Sequence, residues 1–376
     1  MSKRIYLDNN AGTFIDPRVA DEIVAILKEP LGNPSSTHSF GQKARNQLSK
    51  ARNTIASFLG TKASEIVFTS GGTEGMNFLI RGILAQQHSG HVITSSVEHS
   101  CVNGTLKSME ASGFTVSFLP PGLYGAITAE AVHAALRPDT SLICLMAVNN
   151  ETGVKTDLEA IAAIADEKKI PMIVDGVAMM GKEIFSIPKG ISAMSFSGHK
   201  FHAPQGIGFS FIRSGLKLSP LLTGGGHEFG KRAGTENILG ILSLAKAVEL
   251  LKEELPMSSK HMLDLRERFE GILHNALANV SINGQGPRVC NVSNIAFSGV
   301  DGESLLLALD AAGVAASHGS ACSSGALEPS RILLNMGIPQ ALVRSSLRFS
   351  FSHFTTEQEI DEACTIIIKL VNHLSY

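Results

Sequence analysis

The five cysteines, Cys101, Cys144, Cys290, Cys322 and Cys364, form no close pair and no CxxC motif. A disulfide framework is therefore not expected, and a reducing compartment, the cytoplasm, is. No apolar run approaches a membrane span. The longest, such as Ser141 to Val148, has the length of a strand. The opening MSKRIYLDNNAGT has no apolar stretch of the signal-peptide kind. Neither sign of charge is in excess. A formal net charge of -2 gives no electrostatic reason to expect direct binding of nucleic acid or a membrane. The chain shows no internal repeat and no low-complexity segment. What it has is a globular composition, 44% hydrophobic and 18% charged over 376 residues. That length suits one large domain plus a smaller one.

Short β-rich runs alternate with helical patterns through most of the first two-thirds. Candidate strands are Glu65–Ser70, His91–Ser95, Phe114–Phe118, Ser141–Val148, Pro171–Asp175, Ser192–Ser197 and Gly206–Ile212. Several are nearly continuous apolar runs, as expected where helices cover both faces of a sheet. Asp16 can cap a helix with Pro17 at its first position. Ala44, Leu48, Ala51, Ile55 and Phe58 mark a second helix ending at Gly60. The alternation predicts an α/β fold: a large domain with a mostly parallel seven-stranded sheet between helices. After about Asn237 the pattern changes. A helical run to Leu255 meets Pro256, Ser258 and Ser259, read as a hinge, and another helix follows. Short strands near Asn294–Ser298 and Leu347–Phe351 and a final helix with a Thr356/Glu359 capping box complete a smaller α+β domain. The expected division is 14–255 for the large domain, with 1–13 and 256–376 in the small one.

Five segments carry chemistry. Phe68-Thr69-Ser70-Gly71-Gly72-Thr73-Glu74 is a strand, a turn of small residues and a helix start. Backbone N–H groups there can hold a phosphate, although glycine pairs after strands also serve as plain tight turns. Asp175 ends a buried strand at the sheet edge where ligands sit in open α/β folds. A buried Asp needs a cationic partner, so a cap or an internal salt bridge is the alternative. Lys200, in Ser197-Gly198-His199-Lys200, also follows an apolar strand. Partial desolvation would lower its pKa and make it a nucleophile toward carbonyls, whereas a lone lysine is ordinarily a solvated surface group. Taken together, a phosphate cradle, an acid for a pyridinium nitrogen and a Schiff-base lysine are the parts that pyridoxal phosphate requires. Cys322 sits in Gly319-Ser320-Ala321-Cys322-Ser323-Ser324-Gly325, a run that does not form core and can expose a thiol. Cys144 reads instead as a small buried hydrophobe. Arg348, on the alternating strand Ser346-Leu347-Arg348-Phe349-Ser350, can grip an amino acid carboxylate with its fork or belong to a structural ion pair.

Across almost its whole length the sequence resembles the cysteine desulfurases, the NifS/IscS-like group of fold-type I pyridoxal-phosphate enzymes. The resemblance runs through Tyr6-Leu7-Asp8-Asn9-Asn10-Ala11, Gly32-Asn33-Pro34-Ser35-Ser36, Glu98-His99, Val148-Asn149-Asn150-Glu151, Ser197-Gly198-His199-Lys200, Arg232-Ala233-Gly234-Thr235-Glu236-Asn237, Gly319-Ser320-Ala321-Cys322 and Leu327-Glu328-Pro329-Ser330. It implies roles. Lys200 would be the Schiff-base lysine. Asp175 would pair with the pyridine nitrogen, and His99 would stack on the ring and help move protons. Asn150 would lie at the ring hydroxyl. Gly72, Thr73, Ser197 and His199 would bind the phosphate. Thr235 would reach the phosphate of a neighbouring subunit, which implies a homodimer. Asn33 and Arg348 would hold the carboxylate of L-cysteine. Cys322 would take the substrate sulfur as a persulfide and release L-alanine. An iron–sulfur scaffold protein or sulfur carrier would then accept the sulfur for cluster assembly, with tRNA thiolation as a further outlet. No metal site is implied.

Three positions depart from the family's pattern. Ala178 stands where a Gln usually donates to the cofactor's ring oxygen, Phe229 where an Arg is usual, and Gln205 where a Lys is usual. Two rival readings remain. Selenocysteine lyase or cystine C–S lyase use the same fold, but they need no persulfide-forming cysteine. A binding protein that kept the fold and lost catalysis would be of another class, and Ala178 is its best support.

Overall fold

The structure, a computed structural model, describes residues 4–319 and 328–375. A short strand β1 (Ile5–Tyr6) precedes helices α1 (Pro17–Leu27) and α2 (Ser39–Leu59). Both helices have the ends read from sequence. The Asp16 side chain accepts from the Arg18 N–H with Pro17 in the first turn, and Gly60 closes α2 at φ 65°. Strands and helices then alternate through β2 (Ile66–Thr69), α3 (Gly72–Leu84), β3 (His91–Ser95), α4 (Ser100–Glu110), β4 (Thr115–Leu119) and α5 (Ala129–Ala135). The series continues with β5 (Thr140–Met146), α6 (Leu158–Lys168), β6 (Met172–Asp175), β7 (Ile191–Ser197) and β8 (Gly208–Ile212).

Strands β2 to β8 form a seven-stranded sheet in the order β2-β8-β7-β6-β5-β3-β4. Pairing is parallel from β4 through β3, β5 and β6 to β7, and β8 runs antiparallel to both of its neighbours. Each expected strand is present with ends displaced by two residues at most. One core cluster joins the sheet to α2, α6 and the first half of the long helix described next. A second cluster lies between the other sheet face and α3 and α4. The runs Ile143 to Leu145 and Met172 to Val174 are within 1% of full burial because helices cover both faces.

The second half differs from the expectation at one point. The run beginning at Asn237 does not stop at Pro256. Helix α7 (Ile238–Ala276) continues through it for 39 residues. Proline removes one i→i−4 hydrogen bond but leaves φ helical. Packing supplies the rest. Leu251, Leu255 and Met262 are buried on one face around the proline, and the helix packs against α1, α2 and the C-terminal helix Glu357–Leu374. The boundary expected at residue 256 therefore falls inside a continuous helix. Along α7 the side chains change company: Met262 belongs to the core of the large sheet, while Leu265 and Phe269 belong to a separate core. That separate core is built on an antiparallel sheet of β9 (Val280–Ile282), β10 (Val292–Phe297) and β12 (Ser346–Ser350), beside the pair β1 and β11 (Val314–Ala315).

Close approach of α3 to the sheet fixes where its N-terminus sits. A Cβ on Gly75 would lie 1.9 Å from Ser195 Oγ, and one on Gly72 would lie 2.5 Å from Val177 Cγ2. Only glycine lets the first turn of α3 rest on β7 and on the turn after β6.

Candidate active site

Three strand ends deliver the central residues. Strand β2 leads through the turn at Ser70 and Gly71 into α3, so the N–H groups of its first turn, from Gly72 and Thr73 on, have no intrahelical acceptor. Strand β6 ends on Asp175. Strand β7 ends on Ser197 and runs into the tight turn Gly198–Lys200. One cavity is lined by Gly72, Thr73, His99, Asn150, Asp175, Ser197, His199, Lys200 and Arg348, nine of the residues singled out from sequence. Asn33 and Thr235 do not line it, and both are exposed. The Asn33 side chain accepts from the Ser35 N–H within its own loop. Cys322 lies outside the described residues.

Asp175 is 7% exposed, and its Oδ1 accepts from the Val177 N–H at 3.0 Å. Burial raises its pKa, while His99 and Lys200 hold that rise back. His99 is the N-cap of α4. Its Nδ1 accepts from the Cys101 N–H at 3.2 Å, which leaves the proton of the neutral ring on Nε2. Burial lowers its pKa, as do Lys200 and Arg331, with Asp175 opposing. Lys200 donates from Nζ to the carbonyl oxygens of Asn10 and Ala11, the latter at 3.0 Å. Ser197 Oγ and His199 Nδ1 are 3.0 Å apart, and burial together with Lys200 pushes the His199 pKa down to about 4.

Several lining residues were not legible in the sequence. Lys182 Nζ donates to the Lys200 carbonyl at 3.0 Å, and burial lowers its pKa to about 8. Cys101 Sγ sits 3.1 Å from His99 Nδ1, with its pKa raised by burial and by Asp175. Its position had a local signal, because the second residue after an N-cap is the one whose N–H meets the cap side chain. Lys182 had none, since its contact crosses the fold. Arg348 is in contact at once with two chain segments: Nη2 donates to Asp8 Oδ1 at 2.7 Å and Nη1 to the Asn150 carbonyl at 3.1 Å. Its backbone pairs with Ser317, close before the segment that carries Cys322.

The residues fit pyridoxal phosphate. Asp175 is a buried carboxyl with room beside it for a protonated ring nitrogen. The side-chain oxygen of Asn150 is buried and has no partner among the described residues. The α3 N-terminus is a cradle in which a Cβ on Gly72 would collide with Val177. Lys200 opens on the same space. Of the three departures, Ala178 lines this cavity, Gln205 is exposed at some remove, and the Phe229 ring lies 5.0 Å from the Arg52 guanidinium.

Comparison with known proteins accords with this geometry. The family model for aminotransferase class-V matches residues 5–363. A cysteine desulfurase of Nostoc sp. is 41% identical over 373 residues, covering 98% of this chain and 93% of that protein. Among solved structures, a NifS-like protein superposes with a TM-score of 0.91 at 33% identity, covering 99% of this chain and all of that one. SspA, solved in complex with cysteine, gives a TM-score of 0.84 at 32% identity, covering 93% of this chain and 99% of that one. The chain belongs to the class-V aminotransferase family, enzymes of fold-type I that use pyridoxal phosphate. Within that family it falls in the NifS/IscS-like cysteine desulfurase group.

Proposed function

We propose that this chain converts L-cysteine to L-alanine with pyridoxal phosphate and leaves the sulfur as a persulfide on Cys322. The observation that carries this reading is one cavity holding an amine (Lys200), a buried acid (Asp175) and a buried guanidinium (Arg348). Bound pyridoxal phosphate supplies a ring that withdraws electrons from the substrate's Cα.

The protein's own groups do the rest. Asp175 holds a proton or a positive charge at the ring nitrogen, where burial strengthens the interaction. The N–H groups at the start of α3, with Thr73, Ser197 and His199, would hold the phosphate. Lys200 would hold the cofactor through its Nζ and, when that nitrogen is free, would carry the proton taken from the substrate's Cα. Arg348 would orient the substrate by its carboxylate; Asn33, which does not line this cavity, has that role by resemblance alone. His99, with its proton on Nε2, flanks the ring and donates from that atom. The Cys322 thiolate bonds to the substrate sulfur, the Cβ–S bond breaks, Cβ takes up a proton and alanine leaves. One thiol and one cysteine become one persulfide and one alanine, so no external oxidant or reductant is needed.

The acceptor of the persulfide is read as an iron–sulfur scaffold protein or sulfur carrier, and the location as cytoplasmic. The exposure of Thr235 away from this chain's own cavity supports a homodimer in which it serves the other subunit. The test uses the purified protein loaded with cofactor and given L-cysteine. The expected result is stoichiometric alanine and protein-bound persulfide. Lys200→Ala should lose both the visible cofactor band and turnover. Cys322→Ala should keep the band and its response to cysteine but form no persulfide. Alanine production by Lys200→Ala at the native rate would refute the assignment.

A further inference from the structure

Arg348 is not waiting alone for a carboxylate. It stands on β12 with its side chain 2% exposed, beside the segment that follows β1. The two segments are tied together: Ser350 N–H donates to the Leu7 carbonyl at 2.7 Å, and Asp8 forms a parallel bridge with Ser350. That junction brings the Asp8 carboxylate 2.7 Å from Arg348 Nη2. The other terminal nitrogen donates to the Asn150 carbonyl, which also accepts from Asn10 Nδ2 at 3.1 Å. The remaining nitrogen, Nε, is buried with no partner among the described residues. Glu151 is a further carboxyl near this guanidinium. Its pKa is raised by burial, and it accepts from Ser330 Oγ instead.

We propose that Asp8 is a positioning residue that weakens the hold on the substrate's carboxylate by sharing the Arg348 guanidinium. The proposal rests on the reading that Arg348 binds that carboxylate. A carboxylate entering beside a bare buried cation meets an uncompensated charge. Entering beside the Asp8–Arg348 pair, it meets a group already neutralised, and it is repelled by Asp8 at short range in a poorly screened space. The site thereby gives up affinity for every α-carboxylate, the product's included. Product release is the step this favours, because L-alanine has no thiol, so that besides its amino group the carboxylate is its one polar handle on the site. Asp8 also keeps Arg348 compensated between turnovers, when an unpaired buried guanidinium would be costly.

The experiment is a titration of the cofactor-loaded protein with L-alanine and, separately, with cysteamine, which is cysteine without its carboxylate, followed by the absorbance of the bound cofactor. Asp8→Asn should bind L-alanine more tightly, on the order of tenfold, and should leave cysteamine unchanged. In steady state its KM for L-cysteine should fall, and kcat should fall with slower release of alanine. Asp8→Glu restores the charge and should return both affinities to near the native values. Asp8→Ser carries the same expectation as Asp8→Asn should the latter fail to fold. Unchanged or weaker L-alanine binding in the neutral variants overturns the proposal. Arg348→Ala separates the two layers. If it weakens L-alanine binding while Asp8→Asn does not tighten it, only the role of Asp8 fails. If it leaves L-alanine binding intact, the carboxylate reading of Arg348 fails, and the proposal with it.

Discussion

Ala178 follows the Val177 whose N–H caps Asp175, and its methyl group lines the cavity. A methyl cannot donate to the partly negative ring oxygen of the cofactor, and a charge-assisted bond lost there costs roughly 1.5–3 kcal/mol if nothing replaces it. Asn150, with its buried unpartnered oxygen, and His199 line the same cavity and are the candidates to compensate. Ala178→Gln should therefore slow cofactor loss on dialysis by about tenfold or more and shift the pH at which the cofactor band titrates. Identical dialysis curves would mean that Asn150 or a water already supplies the bond. At this scale the sequence was most legible where a residue ends an apolar strand. Asp175 and Lys200 could be placed at a sheet edge from their neighbours alone, and so could the Gly71-Gly72 turn. Asp8, Lys182 and Cys101 could not be given roles. Asp8 lies in a quoted motif but meets Arg348 only because the segment after β1 comes against β12 across the whole chain, and no local pattern encodes that meeting. Arg348 forms an ion pair with Asp8, one of the two readings offered for it, and also lines the cavity.

Elements were legible where periodicity and caps agreed. The seven strands of the large sheet, the Asp16 and Thr356 caps and the Gly60 terminator all appear where the pattern placed them. Pro256 misled, because local rules end a helix before proline while packing along α7 carries it through. The hydroxyls of Ser258 and Ser259 donate to the carbonyls of Leu255 and Pro256, each three residues back, at 3.2 Å. Pro256 itself is exposed and contributes nothing to the core. Replacing it by Ala returns a backbone donor to the helix and removes the ring's clash with the preceding turn. Against that stands the entropy which proline removes from the unfolded chain. The helical term is the larger, so Pro256→Ala should stabilise the protein by about 1–2 kcal/mol. A urea melt reads this directly through its midpoint. An unchanged or lower midpoint would mean that the entropy proline removes from the unfolded chain matches or exceeds the helical term.

Over the whole molecule, His91, His99, His199, His202 and His353 all have lowered pKa values, with burial the largest cause in each case. The strongest case is His202, 5% exposed and pushed down to about 3, with Lys182 and His353 adding to the burial and Asp16 opposing it. Its Nδ1 donates to the Phe14 carbonyl at 2.9 Å, so the ring joins the segment before α1 to the turn after Lys200. The sign follows from proton uptake. Above about pH 6.5 the ring is neutral in both folded and unfolded chains, and its contribution is fully present. As pH falls below that value the unfolded chain takes up a proton that the folded chain refuses, and stability is lost progressively until the folded ring protonates near pH 3. At pH 5 this one ring costs about 2 kcal/mol relative to neutral pH. The buried acids Glu98, Glu151 and Asp175 work in the opposite direction, since their raised pKa values let the folded chain hold protons that the unfolded one has released. The net curve is therefore a contest, and a single substitution is needed to isolate the histidine. His202 has φ 68°, so Asn is the replacement that tolerates this backbone and still offers a donor toward Phe14. His202→Asn should be less stable than the native protein at pH 7.5 through lost packing, and the gap should narrow by about 2 kcal/mol at pH 5. Urea unfolding of both forms at the two pH values measures it. A gap of the same size at both would show that the His202 ring protonates in the folded protein as readily as in the unfolded chain.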